Sequence, residues 1–213
     1  DLFKAGLGIK LVLFTHKTGS ILVKNKHANI KEIGDFAGKS ILVPYQRSVH
    51  NMLFHKLLTD NGLKVATADF DPDVTIEVIA PAMMPDVLKY DEEGEIGGFI
   101  VAEPIGSKAI ASGFAEEFFL SKVLWPDHPC CVFVMRDDFI GKHPDAVHEL
   151  TKSLVTSGNF IAEQPDEAAK IGAEFLGQDA EVIRRVLTEP ADRIKTSELK
   201  PVIKDLEMIQ DYM

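Results

Sequence analysis

Two cysteines, one tryptophan and three tyrosines are all that these 213 residues contain of those types. The cysteines are adjacent, Cys130 and Cys131, so they cannot staple a small disulfide framework, and a zinc finger's four ligands are out of reach. Neighbouring side chains on a strand point to opposite faces, which predicts two small apolar residues in a strand; a strained vicinal disulfide or a metal pair stays open. No apolar run approaches the roughly 18 residues a membrane span requires. Excess positive charge is also missing: the formal net charge of −10 argues against a general nucleic-acid binder or a surface drawn to anionic lipid.

The motifs of common chemistries are absent as well. There is no GxxxxGK[ST], no GxGxxG, no HExxH and no GxSxG elbow. Seven histidines are present, but His50 and His55 stand five apart, and His143 and His148 fall at a helix start facing solvent. Catalysis has little support, and no cofactor is expected. The chain begins at Asp1 without an initiator Met or a leader, as a processed or trimmed form would.

What is present is a soluble composition, 46% hydrophobic with mixed charge, at a length that allows one large domain or two small ones. Short apolar runs at 11–14, 21–23, 41–43, 74–80, 97–101 and 130–135 read as strands. Lys17-Thr18-Gly19-Ser20 reads as a turn, and Asp91 to Glu95 as a solvated loop. Beyond Pro144 the pattern is helical, with Pro144, Pro165 and Pro201 near helix starts. Strands alternating with helices imply an α/β fold with mainly parallel sheets.

The most informative stretch runs from Ile41 to His50. A buried strand, Ile41 to Val43, passes through Tyr45-Gln46-Arg47 to Ser48, an N-cap residue. Val49, Met52, Leu53 and Leu57 then mark an apolar helical face. The first turn of such a helix has N–H groups without intrahelical acceptors, and the helix dipole adds to their pull on an anion. Tyr45, Gln46, Arg47, Ser48 and His50 therefore form a candidate anion site, or else only an ordinary capped helix. Glu103 follows the strand 97–101 at its carboxyl end, where open α/β sheets place ligands. It is a second candidate, its dull alternative being a turn-fixing carboxylate. Trp125, between Leu124 and Pro126, is either a cap over a cleft or a packed corner, and Met83 and Met84 read as core fillers.

Three stretches together resemble a known family. Asp35 to Pro44 followed by Ser48-Val49-His50-Asn51, Pro81 to Pro85 leading to Gly98 through Pro104, and Trp125 to Pro129 followed by Arg136 to Ile140 and His143-Pro144 occur in the family's order. They resemble the solute-binding proteins of ABC importers, in the nitrate, sulfonate, taurine and bicarbonate (NMT1/THI5-like) branch. The resemblance implies a type 2 periplasmic-binding-protein fold, two α/β lobes joined by crossing strands. Lobe two would be 37–124; lobe one would be 1–36 with 125–213, without the family's opening strands and therefore prone to self-association. It also implies capture of a small polar or anionic solute between the lobes by Tyr45, Gln46, Arg47, Ser48, His50, Glu103 and Trp125. A permease partner and a periplasmic or extracytoplasmic location, free or lipid-anchored, would go with it, and no enzyme activity. Ile105 stands where nitrate- and bicarbonate-type members carry Trp, and Cys130-Cys131 where some carry a basic residue; both departures speak against those two ligands. Two rival classes remain, a ligand-sensing domain of a regulatory protein and a thiamine-pyrimidine-synthesis-type enzyme, whose cysteine-rich motif this chain does not reproduce.

Overall fold

The computed structural model describes residues 6–66 and 72–212. Its first strand, β1 (Ile9–Thr18), is followed after one residue by β2 (Ser20–Asn25), yet the two lie in different sheets. Next come β3 (Lys39–Val43), α1 (Val49–Asp60), β4 (Val65–Ala66), β5 (Val74–Val78) and α2 (Met84–Tyr90). Then β6 (Ile96–Ala102), α3 (Ile105–Ala111) and β7 (Ala115–Leu120) complete a six-stranded sheet of order β4-β5-β3-β6-β2-β7. The chain returns through β8 (Pro129–Arg136) to a three-stranded sheet of order β8-β1-β9, with β9 at Ile194–Lys195. Helices α4 (Asp137–Lys142), α5 (Pro144–Glu163), α6 (Pro165–Leu176), α7 (Ala180–Thr188) and α8 (Ile203–Tyr212) make up the remainder. Among the described residues no helix is long and apolar enough to cross a membrane.

The large sheet is covered on both faces, which is why its central strands are continuously apolar. Leu22, Ile41, Val43 and Ile100 face α1 through Phe54, Leu57 and Leu58, with Phe36 edge-on to Phe54. Their neighbours Ile21, Val23, Leu42, Phe99 and Val101 face α2 and α3 through Met84, Leu88 and Ala109. Leu13 and Phe14 of the small sheet pack with Leu199, Leu154 and Leu206.

Several expectations are corrected. The sheets are mixed: β3 pairs parallel to β5 and β6, but β2 runs antiparallel to β6 and β7, and β1 antiparallel to β8 and β9. The segment 1–36 is divided between sheets, because β2 is needed to satisfy the edges of β6 and β7. Met83 is exposed, whereas Met84 is buried. Asp91 is more than solvated surface: its carboxylate accepts from Asn25 Nδ2 and from the Glu95 and Ile96 amides.

The chain changes sheet at Thr18-Gly19-Ser20. Thr18 (φ 53°) and Gly19 (φ 78°) both adopt left-handed backbone there. Four hydrogen bonds hold this step: Thr18 N–H to His128 O at 2.9 Å, Gly19 N–H to Arg193 O at 2.9 Å, Glu103 N–H to Gly19 O at 2.8 Å, and Ser20 N–H to Ser121 Oγ at 3.2 Å. A Cβ on Gly19 would sit 2.8 Å from Ile194 Cγ1 and 3.1 Å from His16 Cδ2. Gly19→Ala is therefore expected to lower the unfolding free energy in urea by more than about 1 kcal/mol, through backbone strain and contact together. An unchanged denaturation midpoint would contradict this account of the crossing.

Candidate functional site

The turn after β3 folds as its residues dictate. Ser48, extended at φ −88° and ψ 153°, caps α1: its Oγ accepts from the Asn51 amide at 3.1 Å and donates to Tyr45 O at 2.7 Å. Asn51 Nδ2 donates to Gln46 O at 2.6 Å, which pins the turn. The Ser48 hydroxyl is thus engaged by its own chain, while the amides of Val49 and His50, at the first helical positions, have no intrahelical acceptor. Tyr45 and Gln46 are exposed, and neither lines the cavity described below.

His50, buried on the first turn of α1, points toward the sheet crossing. Its Nε2 lies 2.9 Å from Ser20 Oγ and 3.7 Å from Cys130 Sγ, and the latter two atoms are 3.0 Å apart. Burial, with lesser contributions from His128 and His16, pushes the His50 pKa down to about 4, so the ring is neutral at physiological pH. His128 is likewise held near 4, chiefly by burial, and its Nε2 lies 2.8 Å from Ser121 Oγ.

The β1–β8 ladder is irregular here. Phe14 pairs with Val132, His16 with Cys131 and Lys17 with Pro129, so Cys130 and Thr15 are left without partners in the register. Such a bulge breaks the strict alternation of side chains. The expectation that the two cysteines point to opposite faces is overturned: the ligand-capable atoms of His16, Cys130 and Cys131 all lie within 4.8 Å of one another. Interaction with the neighbouring thiol lowers the Cys131 pKa to about 7 and raises that of Cys130, which burial raises further. His16 Nε2 is buried and has no hydrogen-bond partner, and burial pushes the ring's pKa down to about 4.

Between the α1 start and β8 lies a cavity of about 440 Å³. Arg47, Ser48, His50, Cys130 and Cys131 supply its polar wall, and Leu11, Val49, Val132, Leu206 and Ile209 are among its apolar residues. Three of the sequence-derived candidates, Arg47, Ser48 and His50, are therefore brought together. Trp125 lines a separate cavity of about 360 Å³ with Met52, Leu57, Met208 and Tyr212, behind α1.

Glu103 also faces elsewhere. Its side chain is fully buried and receives Arg193 Nη1 at 2.6 Å, the Ser107 amide at 3.0 Å and Ser107 Oγ at 2.8 Å. The Arg193 guanidinium also reaches Glu117 at 2.7 Å. Arg193 precedes β9 of the small sheet, whereas Glu103 follows β6 of the large one, so this ion pair clamps the sheets together. The partners Ser20, His16 and Arg193 had no sequence signature: each is a common residue made significant by the crossing or the bulge.

With the geometry in place, comparison with known proteins is informative. Residues 12–177 match the sequence profile of the NMT1-like family. The nitrate/nitrite binding protein NrtA of a Nostoc species is 25% identical over 165 residues, which are 75% of this chain and 36% of that protein. The bicarbonate-binding protein CmpA of Synechococcus elongatus is 25% identical over 57% of this chain and 28% of its own length. The chain thus spans about a third of these curated relatives. Among solved structures, a ligand-binding component of an ABC-type import system from Staphylococcus aureus, with zinc bound, has a TM-score of 0.83 at 21% identity, covering 99% of this chain and 68% of that one. The periplasmic aliphatic sulphonate binding protein SsuA of Escherichia coli has a TM-score of 0.72 at 16% identity, covering 99% and 68% respectively. These structural likenesses establish the shared type 2 periplasmic-binding-protein fold.

Removing Arg193 strands a buried carboxylate, the costly way to break such a pair. Arg193→Ala is expected to lower stability by about 3–5 kcal/mol, and the Glu103→Gln, Arg193→Met double variant by distinctly less. Urea denaturation checks this; an Arg193→Ala loss below about 1 kcal/mol would show the clamp to be a solvated pair.

Proposed function

The chain belongs to the NMT1-like family, and on that premise we propose that it captures a small organic oxyanion for an ABC importer outside the cytoplasmic membrane. The observation carrying this reading is the cavity at the α1 N-terminus. The first-turn amides of Val49 and His50, which have no intrahelical acceptor, and the helix dipole would offer one polar end, with Arg47 on the same wall. Much of the remaining wall is aliphatic: Leu11, Val132, Leu206 and Ile209. A volume of about 440 Å³ is in the range of pockets that take organic ligands and exceeds what a bare three-oxygen anion such as nitrate fills. An anionic head with a short apolar tail, as in an alkanesulfonate, matches both ends.

The reading is non-catalytic. Ser20 and His50 form a hydroxyl–imidazole pair, but Ser20 is 1% exposed and does not line the cavity, so its oxygen has no route to a substrate. Ligand contacts shared by the two sheets would favour a closed arrangement about the two crossings, and a permease would read that shape.

Val49→Pro tests the amides directly. Proline is tolerated at the first helical position, and Ser48 already has the extended backbone that a following proline requires. Calorimetry is expected to show short alkanesulfonates bound more tightly than nitrate or bicarbonate. Binding should fall roughly tenfold or more in Val49→Pro, because a hydrogen bond to a charged group contributes about 1.5–3 kcal/mol. Val49→Ala, which keeps the amide and loses only packing, should remain near wild type. Equal affinities in the two variants, or no binding of any of the three anions, would remove the assignment.

A further inference from the structure

We propose that His16, Cys130 and Cys131 form a binding site for a zinc-type d¹⁰ cation, with its fourth coordination position open to the cavity beside α1. The site is made by the β-bulge. His16 and Cys131 are direct cross-strand partners, which places their side chains side by side on one face. The skipped residue Cys130 brings a second sulfur to the same point. Two sulfurs and one imidazole nitrogen, mutually within 4.8 Å, are close to what a tetrahedral zinc needs. With Zn–S near 2.3 Å the sulfurs of such a site sit roughly 3.8 Å apart, so closing the site requires a movement of about 1 Å or less.

A second observation points to the same place. His16 Nε2 is buried without any hydrogen-bond partner, a cost that a folded chain ordinarily avoids. A metal bound through that nitrogen would satisfy it. On binding, each ligating thiol releases its proton to solvent, with no change of oxidation state. Three protein ligands are the pattern of zinc sites that keep a position for an exogenous group. Both cysteines line the 440 Å³ cavity, which supplies the entry path, and soft sulfur donors select against magnesium and calcium. The inference does not depend on which solute the cavity takes.

Reduced, chelator-treated protein titrated with Co²⁺ should develop thiolate-to-metal charge-transfer absorption at one equivalent, and Zn²⁺ should abolish it. Zn²⁺ affinity, measured by competition with a chromophoric chelator, should fall at least about a hundredfold in Cys130→Ser and Cys131→Ser, and by roughly ten- to a hundredfold in His16→Asn. His27→Ala, at an exposed histidine away from the cluster, should change nothing. Where a variant fails to fold, alkylation of the native protein decides: Zn²⁺ should shield both thiols from iodoacetamide. Absence of the charge-transfer band, unchanged zinc affinity in both cysteine variants, thiols that alkylate equally with and without Zn²⁺, or a Cys130–Cys131 disulfide in freshly isolated protein would each overturn the proposal.

Discussion

The hydroxyl of Ser20 is the point on which the architecture converges. It lies 2.9 Å from His50 Nε2 and 3.0 Å from Cys130 Sγ, so one buried oxygen links the start of β2, the first turn of α1 and the bulge of β8. Of these elements β2 belongs to the six-stranded sheet, α1 packs on that sheet, and β8 belongs to the three-stranded one. The backbone of Ser20 is held in turn by Ser121, which His128 contacts. A buried polar group is stable only when satisfied, and here each satisfied group belongs to a different segment of chain. The relative placement of helix N-terminus and β8, which defines the cavity, follows from that requirement. The Glu103–Arg193 pair does the corresponding work on the other side of the crossing.

On the proposed reading, a chain of net charge −10 would hold an anion through local donors. Long-range repulsion between exposed carboxylates is screened within roughly 8–10 Å of electrolyte. Two amides at a helix start would act at hydrogen-bond distance beside the aliphatic part of the cavity wall, where each donor counts for more than it would in water. The apolar residues of the cavity would therefore be part of the proposed recognition chemistry, both as contact surface and as the medium that strengthens the polar end.

Much of the fold was legible in the residues. Ile41-Leu42-Val43, entered between Gly38 and Pro44, could only be a strand buried on both faces, and Ser48 with Val49, Met52 and Leu53 announced the helix behind it. What local sequence could not carry was partner choice. Nothing in Ser20-Ile21-Leu22-Val23 reveals that β2 leaves β1 to run antiparallel between β6 and β7; that follows from the tertiary demand of two open strand edges. The alternation rule likewise misplaced Cys130 and Cys131, because a bulge is a property of the paired register and is invisible in one strand alone. In the candidate site, Arg47, Ser48 and His50 line one cavity, since a strand–turn–helix is local. Glu103 and Trp125 were grouped with them from family resemblance, but Glu103 faces a cation 90 residues further along, and Trp125 packs behind α1.

The central claim is that a small oxyanion is held by the first turn of α1, opposite β8. A crystal structure grown with a bromine-labelled alkanesulfonate tests it most directly, because anomalous scattering from bromine fixes the tail while the sulfonate density fixes the head. The account predicts sulfonate oxygens within hydrogen-bond distance of the Val49 and His50 amides, with the bromoalkyl group against Leu206 and Ile209. Ligand found instead beside Trp125 or Arg193, with the α1 N-terminus solvated, would contradict it.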